Sequence, residues 1–207
     1  MATLLPSNEM LPTVTFISWM LPKVTAGTPV RRRMELNSNA EDVSLSLDRC
    51  MDFACVFEHV KAVVKNNLGL SRAGLMLGLT DLPRQVGGFH GVGGNLIVMN
   101  RRLLDIVVRS AQNRRQINAY VFYILLHEYL HALGFLSEAH VRQLSVQLCE
   151  KALGLDHPAT HMAKYGIGAV LRGMGDLDFQ TPEEELAVPR DFEIVSDFDH
   201  ETSRWFV

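Results

Sequence analysis

The chain has 207 residues, with 23 acidic and 20 basic side chains and a formal net charge of −3. This length is enough for one hydrophobic core with extensions. No stretch approaches 18 uninterrupted apolar residues, and the first residues lack the basic segment, apolar segment and cleavage site of a signal peptide. We therefore expect a cytoplasmic protein with no membrane partner.

The sequence predicts three segments: an N-terminal arm over residues 1–45, a domain over 46–175 and an acidic arm over 176–207. Leu-Pro pairs punctuate the first arm, in which Thr13–Met20 is a candidate short strand. Its three arginines, Arg31–Arg33, are interpreted as a solvated turn, the alternative being a contact with nucleic acid or an acidic partner.

Periodic apolar residues predict one long helix over Ser46–Asn67, since Phe53, Val60 and Val64 recur at helical spacing. Of the three cysteines in the chain, Cys50 and Cys55 fall inside this segment. An odd number of cysteines without a C-x-x-C pair favours core packing over a disulfide framework. Both cysteines are therefore predicted to be core residues of that helix.

Two short apolar runs predict strands. The first covers Ala73–Leu79, and the second covers Asn95–Asn100 after the glycine-rich segment 85–94. Asn100 is also a suitable N-cap for a helix that follows immediately. A longer apolar helix is predicted to begin near Arg115 and to stop at Gly134.

The last turns of this apolar helix carry the motif H-E-x-x-H, formed by His127, Glu128 and His131. Residues four apart lie on one face of a helix, so the two imidazoles can bind one Zn²⁺ ion. Zinc lowers the pKa of a bound water to about 7, and the adjacent Glu128 carboxylate can accept its proton. A buried helix holds two histidines and a glutamate only if something satisfies them. The motif thus predicts a zinc hydrolase with Glu128 as general base.

The order of elements, with G-G-F-H, then N-L-I-V-M-N, then L-L-H-E-Y-L-H-A-L-G, resembles the zincin metallopeptidases, particularly the small ones. The resemblance covers residues 46–153, about half the chain. It implies an α+β zincin-like fold and an edge strand within Gly87–Val98 that pairs with an extended peptide. A plain hairpin turn is the alternative for those glycines.

The third metal ligand is not fixed by the motif. Ser137 occupies the metzincin position and cannot serve as the expected ligand, whereas Glu150 has the gluzincin spacing. Ser137 is instead a good N-cap for a helix over Glu138–Ala152. If that helix folds back antiparallel, His140 lies level with His131, and Glu150 lies about 15 Å further along. His140 is therefore the predicted third ligand, ahead of Glu138 and then Glu150.

Two further histidines, His157 and His161, are four residues apart and are interpreted as surface residues, with a supporting role at the metal as the alternative. Pro158 is predicted at the first turn of a helix. Residues 176–207 carry a net charge of −8 against +5 for residues 1–175, together with several large apolar side chains. This arm is predicted to dock on the body of its own chain or of a second copy, and Phe192–Val195 is a candidate to pair near Asn95–Met99 and restrict the cleft.

The predicted function is zinc-dependent hydrolysis of a peptide or protein substrate. One alternative is a zincin-fold binding module that holds metal without cleaving. Another is a zinc hydrolase of a non-peptide substrate such as RNA, supported only by the pairs Arg101-Arg102 and Arg114-Arg115. A nucleic-acid partner is not expected, and self-association through the acidic arm is a further possibility that the sequence leaves open.

Overall fold

A computed structural model of the chain describes residues 40–83, 85–171 and 192–199. The predicted strand at 13–20 and the arginines at 31–33 lie outside these residues. The described part is an α+β fold with six helices and a small mixed sheet, as the sequence predicts at this level of detail. In chain order the elements are α1 (Ala40–Asp48), α2 (Phe53–Leu68), β1 (Met76–Thr80), β2 (Gly88–His90), β3 (Leu96–Asn100), α3 (Arg101–Ser110), α4 (Arg114–Ala132), α5 (Glu138–Leu153), α6 (Pro158–Tyr165) and β4 (Glu193–Ile194).

The sheet has the strand order β2-β3-β1-β4. Strands β1 and β3 are parallel, with Met76 opposite Leu96, and β2 pairs antiparallel with β3. Because β2 is terminal in this order, its outer edge pairs with no other strand among the described residues. Both predicted strands are confirmed, and Asn100 caps α3 through a bond from the Arg102 N–H to its side chain.

Helix α4 is the central element of the core, and most of its residues are buried on every side. Tyr120, Phe122, Leu125 and Leu126 are fully enclosed. Helices α1, α2, α5 and α6 all pack against α4, and β2 and β3 contact it from the sheet. No described helix is sufficiently long and apolar to cross a membrane.

The prediction of one helix over 46–67 is wrong, because the chain breaks between α1 and α2. Asp52 starts α2 anew by accepting a hydrogen bond from the Cys55 N–H at 2.7 Å. The carbonyl groups at the end of α1 and in the break bind the Asn118 side chain of α4, at 2.9 Å for Leu47 and 3.0 Å for Cys50. These long-range bonds satisfy polar groups that a continuous helix would have used internally.

The prediction that Cys50 and Cys55 are unpaired core residues is also wrong. The break turns the chain back so that their Cα atoms are 5.5 Å apart, and the two sulfurs form a disulfide. Cys149 is free and buried.

The described part of the acidic arm docks on the body of its own chain. Strand β4 pairs antiparallel with β1, with Ile194 opposite Gly78. Phe198 stacks on Phe57 with ring centroids 4.3 Å apart, and Asp199 accepts a hydrogen bond from Lys61 at 2.8 Å. The predicted pairing near Asn95–Met99 is wrong, since β1 and β2 already occupy both edges of β3. Residues 192–199 therefore lie at the sheet edge opposite β2.

Candidate metal centre

Three side chains converge at the end of α4 and the start of α5. The Nε2 atoms of His127 and His131 are 3.2 Å apart. The two carboxylate oxygens of Glu138 lie 3.3 Å from His127 Nε2 and 2.9 Å from His131 Nε2. In a tetrahedral zinc site with bonds of about 2.0–2.1 Å, neighbouring ligand atoms are about 3.3–3.4 Å apart. The distances between these nitrogen and oxygen atoms, 2.9–3.3 Å, are close to that spacing, so the three residues fit a zinc ion.

The hydrogen bonds of His131 leave the nitrogen that faces Glu138 available as a ligand. Its Nδ1 lies 2.8 Å from the Phe135 carbonyl oxygen, which can only accept, so Nδ1 carries the proton. In the neutral ring, which is the form that binds a metal, the lone pair is then on Nε2, the atom that faces His127 and Glu138, and outer partners fix metal-binding histidines in this way. The Nδ1 atom of His127 is buried and has no hydrogen-bond partner among the described residues.

The geometry brings Glu138, rather than the predicted His140, to the histidine pair. Ser137 caps α5 as expected, and Glu138 is the first residue of that helix. A residue two positions further on points about 200° around a helix, so His140 faces away. His140 is exposed, and its ring lies edge-on to Phe135 with centroids 5.4 Å apart. Around the motif, the described residues whose potential ligand atoms all lie within 4.8 Å of one another are His127, His131 and Glu138.

Other sequence candidates lie elsewhere. Glu150 forms an ion pair with Lys164 of α6. His157 is buried, contrary to the expectation of a surface residue, and caps α6 by accepting from the Ala159 N–H at 3.1 Å. Its other ring nitrogen is 3.3 Å from an Asp48 carboxylate oxygen. Pro158 opens α6 as predicted, and these residues stabilise the helical layer rather than lining the site.

The electrostatics of the site are strongly coupled. Hydrogen bonds from His127 and His131 hold the pKa of Glu138 far below its usual range. Burial acts to lower the pKa of His131, but the hydrogen bond and charge of Glu138 more than offset it and leave that pKa raised. The negative charge of Glu138 is thus stabilised by the two histidines, and a bound cation would stabilise the same carboxylate.

Glu128 lies beside the three candidate ligands but is not one of them. It is 5% exposed, and burial raises its pKa, while positive charge on His127 and His131 acts in the opposite direction. A carboxylate with a raised pKa holds a proton more readily than an exposed one, which suits a group that accepts and returns protons near neutral pH. The arrangement places a buried carboxylate next to three side chains that could hold a metal ion.

A pocket of about 290 Å³ opens over these residues. One wall is the segment from Gln85 to His90, and the opposite wall comes from α4 and the start of α5. Much of the lining is apolar, including Val86, Phe89, Val92, Ile124 and Leu136. Such a cavity suits a side chain or short segment of an apolar ligand held next to the polar group at its base.

Strand β2 approaches α4 closely because residue 88 is a glycine. A Cβ atom at this position would lie 2.7 Å from the Val98 carbonyl oxygen, 3.1 Å from Ile124 and 3.4 Å from the Cγ atom of Glu128. Any larger side chain would push the strand away from α4. Gly88 thus fixes the distance between the pocket wall and Glu128.

Two polar side chains hold the walls of the pocket in place. Asn100 is fully buried, and its amide donates to the carbonyl groups of Pro83 and Val86 at 3.0 and 2.8 Å. Arg72 donates to the Gly94 carbonyl beside β2 and to the Ala132 carbonyl at the end of α4, both at 2.5 Å. The arginine connects the β2–β3 loop to α4, the helix that carries His127 and His131.

Sequence reasoning missed His90, which lies in the pocket wall. Its Nδ1 is 3.1 Å from the Leu96 carbonyl oxygen, whereas its buried Nε2 has no hydrogen-bond partner in the part of the chain that the structure describes. Burial lowers its pKa, so the ring is neutral. The signal was present in the G-G-F-H turn ahead of the second strand, where a histidine follows an aromatic residue on an edge strand.

Comparison of the chain with protein-family models, with curated proteins and with solved structures finds no match.

Proposed function

We propose that this chain is a zinc-dependent metallopeptidase of zincin-like fold. The observation that supports this proposal best is the convergence of His127, His131 and the Glu138 carboxylate at 2.9–3.3 Å, with the buried Glu128 carboxylate beside them. A two-histidine, one-carboxylate set leaves a fourth tetrahedral position open, which is the composition of catalytic rather than structural zinc sites.

The residues of the chain have separate roles in the proposed reaction. His127, His131 and Glu138 hold the ion, which when bound activates water and polarises a carbonyl group as a Lewis acid. Glu128 accepts the proton of the attacking water and returns it to the leaving amine, so the amide bond breaks with no net change at the carboxylate. Because Glu128 is buried, that proton is transferred within the pocket rather than to bulk solvent.

Substrate recognition is assigned to the pocket wall. Strand β2 is at the sheet edge and borders the pocket, so an extended peptide can add to it through main-chain hydrogen bonds. The apolar lining favours a substrate with an apolar side chain next to the cleaved bond. Val92 and Leu136 are 83% and 65% exposed and border the same pocket, which places apolar surface where such a side chain would enter.

The alternatives receive less support. A binding module whose own arm fills the cleft is not favoured by residues 192–199, which lie at the opposite sheet edge. For an RNA substrate, the basic pairs are partly neutralised: Arg101 and Arg102 contact Asp81 at 2.9 and 3.2 Å, and Arg115 contacts Asp48 at 3.2 Å.

The test compares the parent chain with Glu128→Gln, using Glu150→Gln as the matched control because Glu150 is paired with Lys164. Hydrolysis is measured on a quenched-fluorescence peptide library with apolar residues at the varied positions, and zinc content by mass spectrometry. We expect Glu128→Gln to keep its zinc and to lose about 10²–10⁴-fold in rate, the usual contribution of a general base. The control should behave as the parent does.

Equal activity of Glu128→Gln and the parent would refute the assignment of the base. A folded parent chain that binds no zinc when zinc is supplied would refute the metallopeptidase proposal as a whole.

A further inference from the structure

A second group of metal-binding side chains lies at the start of α2, among residues that do not line the pocket. Cys50, Cys55 and His59 each offer a ligand atom, and these atoms lie within 4.8 Å of one another. We propose that, when the disulfide is reduced, these residues form a second site that binds a thiolate-preferring divalent cation such as Zn²⁺. The disulfide and the metal are then mutually exclusive occupants of one position in the fold.

The local backbone structure by itself brings the three proposed ligands close together. Cys55 is the third residue of α2 and His59 follows four positions later, so their side chains lie on one face of the helix. Cys50 lies before the N-cap Asp52 and returns to the same turn, with its Cα atom 5.5 Å from that of Cys55. Two sulfurs and one imidazole nitrogen form a donor set that Zn²⁺ binds readily.

His59 is suited to act as a ligand. It is 6% exposed, so its ring is held inside the fold next to the two cysteines. Its Nε2 lies 3.3 Å from the Ser46 hydroxyl, which can donate or accept and therefore suits either tautomer. Such an outer partner orients a metal-binding histidine.

The loop that carries Cys50 is anchored independently of the disulfide. Asn118 donates to the carbonyl groups of Leu47 and Cys50 at 2.9 and 3.0 Å, and Arg115 pairs with Asp48 at 3.2 Å. Asp52 caps α2 at 2.7 Å. Opening the S–S bond removes none of these contacts, so the two sulfurs remain close enough to share an ion.

The chemistry balances with a dithiol as reductant. The dithiol gives up two electrons and two protons, the Cys50–Cys55 bond breaks to two thiols, and the reductant becomes a disulfide. Binding of Zn²⁺ then releases the two thiol protons, because thiolates are the ligands.

The test uses His131→Ala as the background, which weakens the first site and isolates the second. The chain is prepared oxidised or reduced, the reductant is removed, and Co²⁺ is added as a spectroscopic probe. Zinc stoichiometry is measured in parallel. We expect the reduced chain to show sulfur-to-cobalt charge-transfer absorption and to bind one more zinc than the oxidised chain, which should show no such absorption.

Variants then identify the ligands. Cys55→Ser should abolish the charge-transfer absorption, and His59→Ala should raise the Kd by about 100-fold, while Cys149→Ser should change neither, since Cys149 is buried elsewhere. The proposal is overturned if the reduced and oxidised chains bind equal amounts of zinc, or if the absorption depends on Cys149. Because the oxidised and reduced forms of the same His131→Ala chain are compared directly, this result does not depend on the folding of any cysteine variant.

Discussion

The assignment of Glu138 as third ligand can be tested against the alternative residue two positions away. We consider Glu138→Ala and His140→Ala, which remove side chains from the same turn of α5. Only the first removes a carboxylate whose two oxygens lie 3.3 Å from His127 Nε2 and 2.9 Å from His131 Nε2. Zinc-binding free energies of about 10–16 kcal/mol, divided over four ligands, give about 2.5–4 kcal/mol for one ligand. This corresponds to a loss of about 10²–10³-fold in zinc affinity for Glu138→Ala.

The assay is competition for zinc against a chromophoric chelator, with circular dichroism to confirm that each variant is folded. Removal of a carboxylate from the first turn of α5 also costs about 0.3–1 kcal/mol of helix stability, which is too small to account for the expected loss of affinity. His140→Ala should bind zinc within about threefold of the parent, as an exposed residue outside the site should. A greater loss in His140→Ala than in Glu138→Ala would refute the geometry and restore the antiparallel arrangement predicted from the sequence.

Two further variant pairs test the pocket wall and the docked arm. Gly88→Ala should lower the rate of hydrolysis by about tenfold or more while zinc stays bound, because a Cβ would lie 2.7 Å from a backbone carbonyl oxygen of β3. In the control Gly91→Ala, the added Cβ meets nothing within 4 Å, so this variant should resemble the parent. Equal rates for the two variants would show that the position of β2 does not matter. Asp199→Asn should reduce the free energy of unfolding by about 1–3 kcal/mol, because it weakens the buried pair with Lys61, while the exposed Asp197→Asn should stay within about 0.5 kcal/mol. Burial acts to lower the pKa of Lys61, but its carboxylate partners leave that pKa raised above 10.5. The difference in unfolding free energy between the two variants, measured by urea titration, should therefore persist at neutral pH. It should diminish as the pH rises through the folded-state pKa of Lys61.

Local sequence signals predicted the elements that depend on neighbouring residues. The cap at Ser137, the stop at Gly134 and the strand ending at Asn100 are each encoded within a few positions, and all three are confirmed. The errors arose where distant residues decide the outcome. The break between α1 and α2 is stabilised by Asn118, which is about 70 residues away in the sequence, and the disulfide depends on that break.

The third ligand could not be chosen from spacing alone for a related reason. Gly134 has a φ of 99°, and the Phe135 N–H donates back to the Leu130 carbonyl, so the chain leaves α4 in a direction that no periodicity encodes. That direction brings the first residue of α5, rather than the third, to the histidines. The pairing of β4 with β1 likewise depended on which sheet edges were already occupied.

The three proposed metal ligands all come from residues 127–138, on two helices joined by one tight turn. In terms of contact order, this is a local structure, whereas the pocket wall requires strands far away in the sequence and forms with a larger loss of chain entropy. Chelation can therefore precede assembly of the sheet during folding and can persist in a partly opened chain. It follows that a variant that retains zinc shows only that the end of α4 and the start of α5 are folded. Peptide hydrolysis is needed to show that β2 is correctly positioned.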